Sequence, residues 1–161
     1  MALVAHPVMA KVKFFHELAG GSYLRKILTE TTEPVHSVRE IPRYVIAAAR
    51  RITGDDFRLA NPNERYISGD ARILPDDAGL PMRQLVFATK SSSHFIIFYR
   101  HGGYGQGQCV LAFSIDPARK DAQPVLVGCY LGSQPVASLA DLRRAIARNE
   151  VQQYRPTFLD F

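Results

Sequence analysis

Cysteine is scarce in this chain: 161 residues contain only Cys109 and Cys129. Two are too few for a disulfide framework or a four-ligand zinc site, and neither belongs to a C-x-x-C pair. Both read as buried structural thiols. They fall on neighbouring predicted strands, where a bridge forms only if they stand directly opposite; a slip of one residue sends them to opposite faces. Long apolar runs are also missing. The longest pieces, such as Leu85 to Ala88 and Phe95 to Tyr99, fall far short of the ~20 residues a membrane span requires. No integral membrane protein is expected. The opening Met1-Ala2-Leu3-Val4-Ala5-His6-Pro7 has no basic leader before an apolar core, and Lys11 and Lys13 come too late for a secretory signal. A cytoplasmic location is the expectation.

Catalytic signatures are absent as well. There is no H-E-x-x-H, Walker loop, G-x-S-x-G or EF-hand loop. The paired acids Asp55-Asp56 and Asp76-Asp77 sit in turn-forming stretches and read as turn and cap residues. No metal or cofactor is expected. Carboxylates disappear entirely from Ala78 to Ile115, a stretch that keeps Arg83, Lys90, His94, Arg100 and His101. Such a segment reads as central strands with little room for charge, or as a surface that attracts anions.

The formal charge is +5. It is mild beside nucleic-acid binders with clustered cations and aromatic platforms. At 161 residues, with 47% hydrophobic side chains, the chain suits one globular domain that buries roughly 68–70% of its unfolded surface. Residues 151–161, with Tyr154, Phe158, Leu159 and Phe161, read as a tail that packs on its own domain or, alternatively, as a docking tail for a partner or a second copy.

The periodicity predicts helices first. Val12, Phe15 and Leu18 have helical spacing within Ala10 to Ala19, and Tyr23, Leu24, Ile27 and Leu28 follow after Gly20-Gly21. A further helix starts near the S-x-x-E box at Ser37 or at Pro42, and runs to about Thr53 with Gly54 as its cap. Its inner side gathers Ile41, Val45, Ala48, Ala49 and Ile52, and its outer side Arg39, Arg43 and Arg50. After turn-rich residues with room for short strands at Arg65 to Ser68 and Ala71 to Leu74, the pattern becomes β. Gln84 to Lys90, His94 to His101, Gln108 to Ile115 and Val125 to Leu131 predict an antiparallel meander from about 84 to 131. Phe95-Ile96-Ile97-Phe98 is apolar at every position, so both faces of that strand are expected to be covered. A last helix begins at a Ser138 cap, with Asp141 three residues on, Leu139, Leu142 and Ile146 inward and Arg144 and Arg148 outward. The fold class is α+β: an antiparallel sheet of four to six strands flanked by N-terminal helices and a C-terminal helix.

Two features carry functional interest. His101-Gly102-Gly103-Tyr104-Gly105-Gln106-Gly107 lacks the G-x-G-x-x-G spacing and precedes a strand, so it is no dinucleotide loop but a flexible hairpin connection with Tyr104 at its tip. Pairing His101 with Gln108 would place Tyr99, His101 and Gln108 on one sheet face at the mouth of that loop, with Arg100 and Cys109 on the reverse. His94 and His101, seven residues apart on one strand, point to opposite faces ~23 Å apart and cannot act together. The favoured function is a small non-enzymatic module that binds another protein, an acidic one being suited to Arg39, Arg43 and Arg50, with Tyr99, Arg100, His101 and Tyr104 as further binding residues. The alternative is an enzyme or binder acting on RNA or a nucleotide through the His/Tyr/Arg cluster at the Gly-rich loop. The aromatic tail also suits self-association into a homo-oligomer.

Overall fold

Phe95, Ile96, Ile97, Phe98 and Tyr99 are all buried, in the middle of a sheet with a helix on each side. The computed structural model describes residues 26–27, 29–69, 75–103 and 106–153. The elements are β1 (Glu33–Val35), α1 (Arg43–Thr53), β2 (Leu59–Ala60), β3 (Arg83–Lys90), β4 (His94–His101), β5 (Gly107–Asp116), β6 (Asp121–Tyr130), α2 (Leu139–Ala147) and β7 (Val151–Gln153). One sheet takes all the strands in the order β1-β3-β4-β5-β6-β7, with β2 pairing beside the start of β3. Every pairing is antiparallel except β2 with β3. The meander thus has the expected place and direction, and three short strands raise the count to seven.

Alternation along β4 builds two cores. Phe95, Ile97 and Tyr99 pack with Val45, Ala48, Ala49 and Ile52 of α1, while Ile96 and Phe98 pack with Leu142, Ala145 and Ile146 of α2. Each Val, Leu, Ile or Phe side chain so removed from water contributes about 1.5–3 kcal/mol. A bulge between Leu85 and Phe87 shifts the β3–β4 register. Val86 and Phe87 consequently both serve the α2 side, where Phe87 stacks on Phe98 at 5.2 Å between ring centroids.

The helix boundaries follow local chemistry. Val38–Glu40 forms a single 3-10 turn, the chain is extended at Ile41, and α1 starts after Pro42. Pro42 is therefore the true helix start, since proline restricts the residue before it to extended backbone. Ser37 makes no side-chain cap. Gly54 closes α1 at φ 72° with its N–H on the Arg50 carbonyl. At α2, Ser138 Oγ accepts from the Asp141 N–H, and the Asp141 carboxylate accepts from both the Ser138 hydroxyl and the Ala137 N–H.

The anticipated strand at Arg65 to Ser68 does not form; Ile67 N–H instead donates to the Pro81 carbonyl as a single loop contact. The sequence after Ile115, expected as a loop to Pro124, is a tight four-residue turn, and β6 begins at Asp121. Pro124 is accommodated inside β6 at a second bulge, opposite Phe113. The expected helix at Ala10 to Ala19, most of the one at Tyr23 to Leu28, and the strand at Ala71 to Leu74 lie outside the described residues. Among the described residues no helix is long and apolar enough to cross a membrane.

The register also settles the cysteines. Cys109 stands directly opposite Cys129, and the two form a disulfide with 4.0 Å between Cα atoms, so they are not free thiols. It crosslinks β5 to β6 beneath α1 and closes a loop with a sequence separation of 20. A crosslink of that span is worth about 3 kcal/mol through its restriction of the unfolded chain. Reductant should lower the urea unfolding midpoint accordingly; an unchanged midpoint in dithiothreitol would contradict the assignment.

Candidate functional site

β4 ends in a histidine at each terminus, and each terminus holds a polar cluster. At the start, His94 is only 2% exposed, on the strand alternation that Ile96 and Phe98 continue towards α2. Its Nδ1 lies 2.8 Å from Glu30 Oε2 and 2.8 Å from Ser93 Oγ. Ser91 Oγ donates to Glu30 Oε2 at 3.0 Å and Ser93 Oγ to Glu30 Oε1 at 3.2 Å. Ser91 Oγ in turn accepts from the N–H groups of Ser93 and His94. Arg143 of α2 completes the arrangement by donating to the carbonyls of Ile27 and Glu30. Burial opposes ionisation of Glu30, but hydrogen bonds from Ser91, His94 and Ser93 outweigh it and hold the carboxyl below its ordinary value.

Serine, histidine and acid meet here, yet not in the order of a nucleophilic triad. A triad needs the hydroxyl on one ring nitrogen and the acid on the other. Ser93 and Glu30 both address Nδ1, and the Ser93 proton is already given to Glu30. The cluster ties the segment at Glu30 to the β3–β4 turn and to α2.

At the other end of β4, alternation puts Tyr99 and His101 on one face, with Arg83 opposite His101 and Leu85 opposite Tyr99. Arg83 Nη2 donates to Asp55 Oδ2 at 2.6 Å, and its guanidinium lies 5.3 Å from the centre of the Phe57 ring. Phe57 meets Tyr99 edge to face at 5.5 Å. Asp55 Oδ1 accepts from the Thr53 hydroxyl and the Phe57 N–H, both at 2.8 Å. That clamp holds Phe57 at φ 39°, a left-handed backbone that bulky residues rarely take. Burial pushes the Tyr99 phenol up to about 12 despite the neighbouring Arg83. Burial also disfavours charge on Asp55, but the hydrogen bonds from Arg83, Thr53 and Phe57 keep its carboxyl below the ordinary value.

The sequence-predicted binding residues are therefore dispersed. Tyr99 is 2% exposed and belongs to the core, not to the mouth of the loop. The β4–β5 register differs by one residue from the pairing of His101 with Gln108: His101 faces Gly107, Arg100 faces Gln108, and Tyr99 faces Cys109. Arg100 and Gln108 thus share one face, and Tyr99, His101 and Cys109 the other. The cation beside Tyr99 is Arg83, which sequence spacing did not single out. Arg39 lies on the 3-10 turn, separated from α1 by Ile41 and Pro42, so it is not on one continuous helix with Arg43 and Arg50. All three are exposed, and Arg50 Nε donates to the Asp56 carbonyl at 2.8 Å. Tyr104 lies outside the described residues.

The Gly-rich connection is braced where it is described. Gly102 N–H donates to the Met82 carbonyl and Gly103 N–H to the Gly69 carbonyl. A Cβ on Gly102 would sit 1.6 Å from the Ile67 carbonyl oxygen, so this glycine is required by close backbone approach. Among the described residues no three His, Cys, Asp or Glu side chains form a metal-binding group.

Compared with known proteins, the chain matches no family model, no curated protein and no solved structure.

The Glu30 cluster makes acid stability specific. With its folded pKa below the ordinary 4.5, Glu30 contributes stability that is fully present above that value and is lost as pH falls through the folded value. Glu30→Gln should lower the unfolding free energy at neutral pH by about 1–3 kcal/mol. Urea titrations should show that difference shrinking in acid; a deficit that stays constant from neutral pH to about pH 3 would contradict it.

Proposed function

We propose that the chain is a small non-enzymatic module that binds another protein through the end of the sheet carrying the Gly-rich loop. One observation carries this reading. Met82 and Leu131, exposed by 47% and 66%, are the large apolar side chains left open among the described residues, and both lie at that end. Met82 immediately precedes β3 and Leu131 immediately follows β6, with the connection from β4 to β5 between them in the strand order. Three inter-strand spacings separate the two, about 14 Å. Apolar groups so spaced on a rim suit contact with a protein surface.

The charge around the rim favours an acidic partner. Arg100 is exposed there, and residues 78 to 115 supply no carboxylate. Beside Leu131 an open groove of about 270 Å³ is lined by Tyr130, Pro135, Val136, Arg144 and Arg148 among others. Arg144 and Arg148 pair with Asp141 and Glu150, so the charges bordering that groove are balanced. Arg39, Arg43 and Arg50 are exposed cations that suit the same acidic partner. Ser93 and Glu30 both address His94 Nδ1 instead of opposite ring nitrogens, which supports binding over nucleophilic chemistry at that cluster.

The test is a double variant, Met82→Asp with Leu131→Asp, compared with Arg39→Glu/Arg43→Glu/Arg50→Glu. After a partner has been isolated with the native chain, the first variant should weaken its binding by about tenfold or more while the circular dichroism spectrum is retained. Unchanged affinity in the first variant would overturn the proposed surface. Saturable, salt-sensitive binding of short RNA by the native chain would overturn the partner class.

A further inference from the structure

The α2 face of the sheet changes character at its last level before the Gly-rich connection. Gln84 stands opposite Arg100, Arg100 opposite Gln108 and Gln108 opposite Tyr130, so one polar row crosses four adjacent strands. Both register shifts lie elsewhere, between Leu85 and Phe87 and between Ala112 and Phe113. Directly opposed residues share a face, and Phe98 and Val110, two residues inward on β4 and β5, are buried towards α2. The polar row itself is left open there: Arg100 is exposed, and Gln108 and Tyr130 are half-buried.

The two flanks of this row are fixed and its centre is not. Gln84 Nε2 donates to the Glu64 carbonyl at 2.8 Å, and the Tyr130 hydroxyl donates to the Gln134 carbonyl at 2.6 Å. Among the described residues no carboxylate pairs with Arg100. Glu64 accepts with its carboxylate from Asn61, and Arg83 faces the other side of the sheet, paired with Asp55. Arg100 carries several N–H donors and no acceptor, and the Gln108 amide stands about 5 Å away across the strands. A planar guanidinium beside a neutral amide matches a carboxylate, because two parallel N–H groups meet its two oxygens and one positive charge balances one negative. A phosphate dianion calls for further cations, which this row does not hold. Met82 lies two residues before Gln84 and Leu131 one residue after Tyr130, so exposed apolar side chains border the row at its β3 and β6 ends. We propose that Arg100 and Gln108 form a carboxylate subsite that takes an Asp or Glu side chain of the protein partner, between apolar contacts at Met82 and Leu131. The partner segment is then an acidic residue flanked by apolar ones, a specification that rests on the protein-binding reading above.

NMR titration of the intact, isotope-labelled chain with the blocked tripeptide N-acetyl-leucyl-glutamyl-leucine amide tests this. The Arg100 Nε–H and Gln108 side-chain amide signals should shift saturably, and the matched peptide with glutamine in place of glutamate should bind about tenfold more weakly. Arg100→Gln should abolish that preference, and Arg100→Lys should recover only part of it, since an ammonium does not meet both carboxylate oxygens in parallel. Equal binding of the two peptides, or no saturable shift at Arg100, would overturn the subsite. Inorganic phosphate bound at Arg100 more tightly than the glutamate peptide would overturn it in favour of a phosphoryl ligand. A partner weakened by the Met82/Leu131 double variant but indifferent to Arg100→Gln would remove the subsite and leave the protein-binding reading standing. A glutamate preference that depends on Arg100, in a chain whose partner ignores the double variant, would support the subsite and remove the Met82/Leu131 surface.

Discussion

The burial of β4 on both faces is the constraint on which the other elements depend. A strand reading Phe95-Ile96-Ile97-Phe98-Tyr99 has no side that water can cover, so it must lie inside a sheet and between two helical layers. β3 and β5 flank it, α1 brings the alanine-rich face of Val45, Ala48 and Ala49 to one side, and α2 brings Leu142, Ala145 and Ile146 to the other. Small residues on α1 suit a helix that must lie close to large rings such as Phe95 and Phe113.

Polar chemistry is thereby displaced to the ends of β4. His94 and His101 mark those ends, and each adjoins a cluster whose acid comes from a distant segment: Glu30 before β1, and Asp55 after α1. Carboxylates drawn partly out of water need hydrogen bonds, and serine, threonine and backbone groups supply them to Glu30 and Asp55. Their positions make them ties between the sheet and segments that no strand pairing would hold. The proposed binding surface is the exposed rim at Met82 and Leu131.

What could be read from the residues was what local pattern controls. The meander came from runs of Val, Ile, Phe and Tyr, the two-sided burial of β4 from four consecutive apolar residues, the end of α1 from Gly54, and the start of α2 from Ser138 with Asp141. The pairing of Glu30 with His94 spans 64 residues, and that of Asp55 with Arg83 spans 28; no periodicity connects them. Strands as short as β1, β2 and β7 carry no pattern of their own and form because a neighbour's backbone is available. The β4–β5 register turned on a single residue at the glycine connection, where a glycine-rich sequence is compatible with more than one loop length. That one step moved Cys109 onto the face of Tyr99 and removed the anticipated cluster of Tyr99, His101 and Gln108.

Native-state hydrogen exchange across the whole chain measures the central claim directly. If β4 is the doubly covered strand that organises the fold, the amides of Phe95 to Tyr99 are among the slowest in the protein and open only with global unfolding, so denaturant raises their exchange with the full unfolding slope. Exchange of those amides through local openings, faster than in β3 and β5 and insensitive to low denaturant, would show that the structure rests on something else.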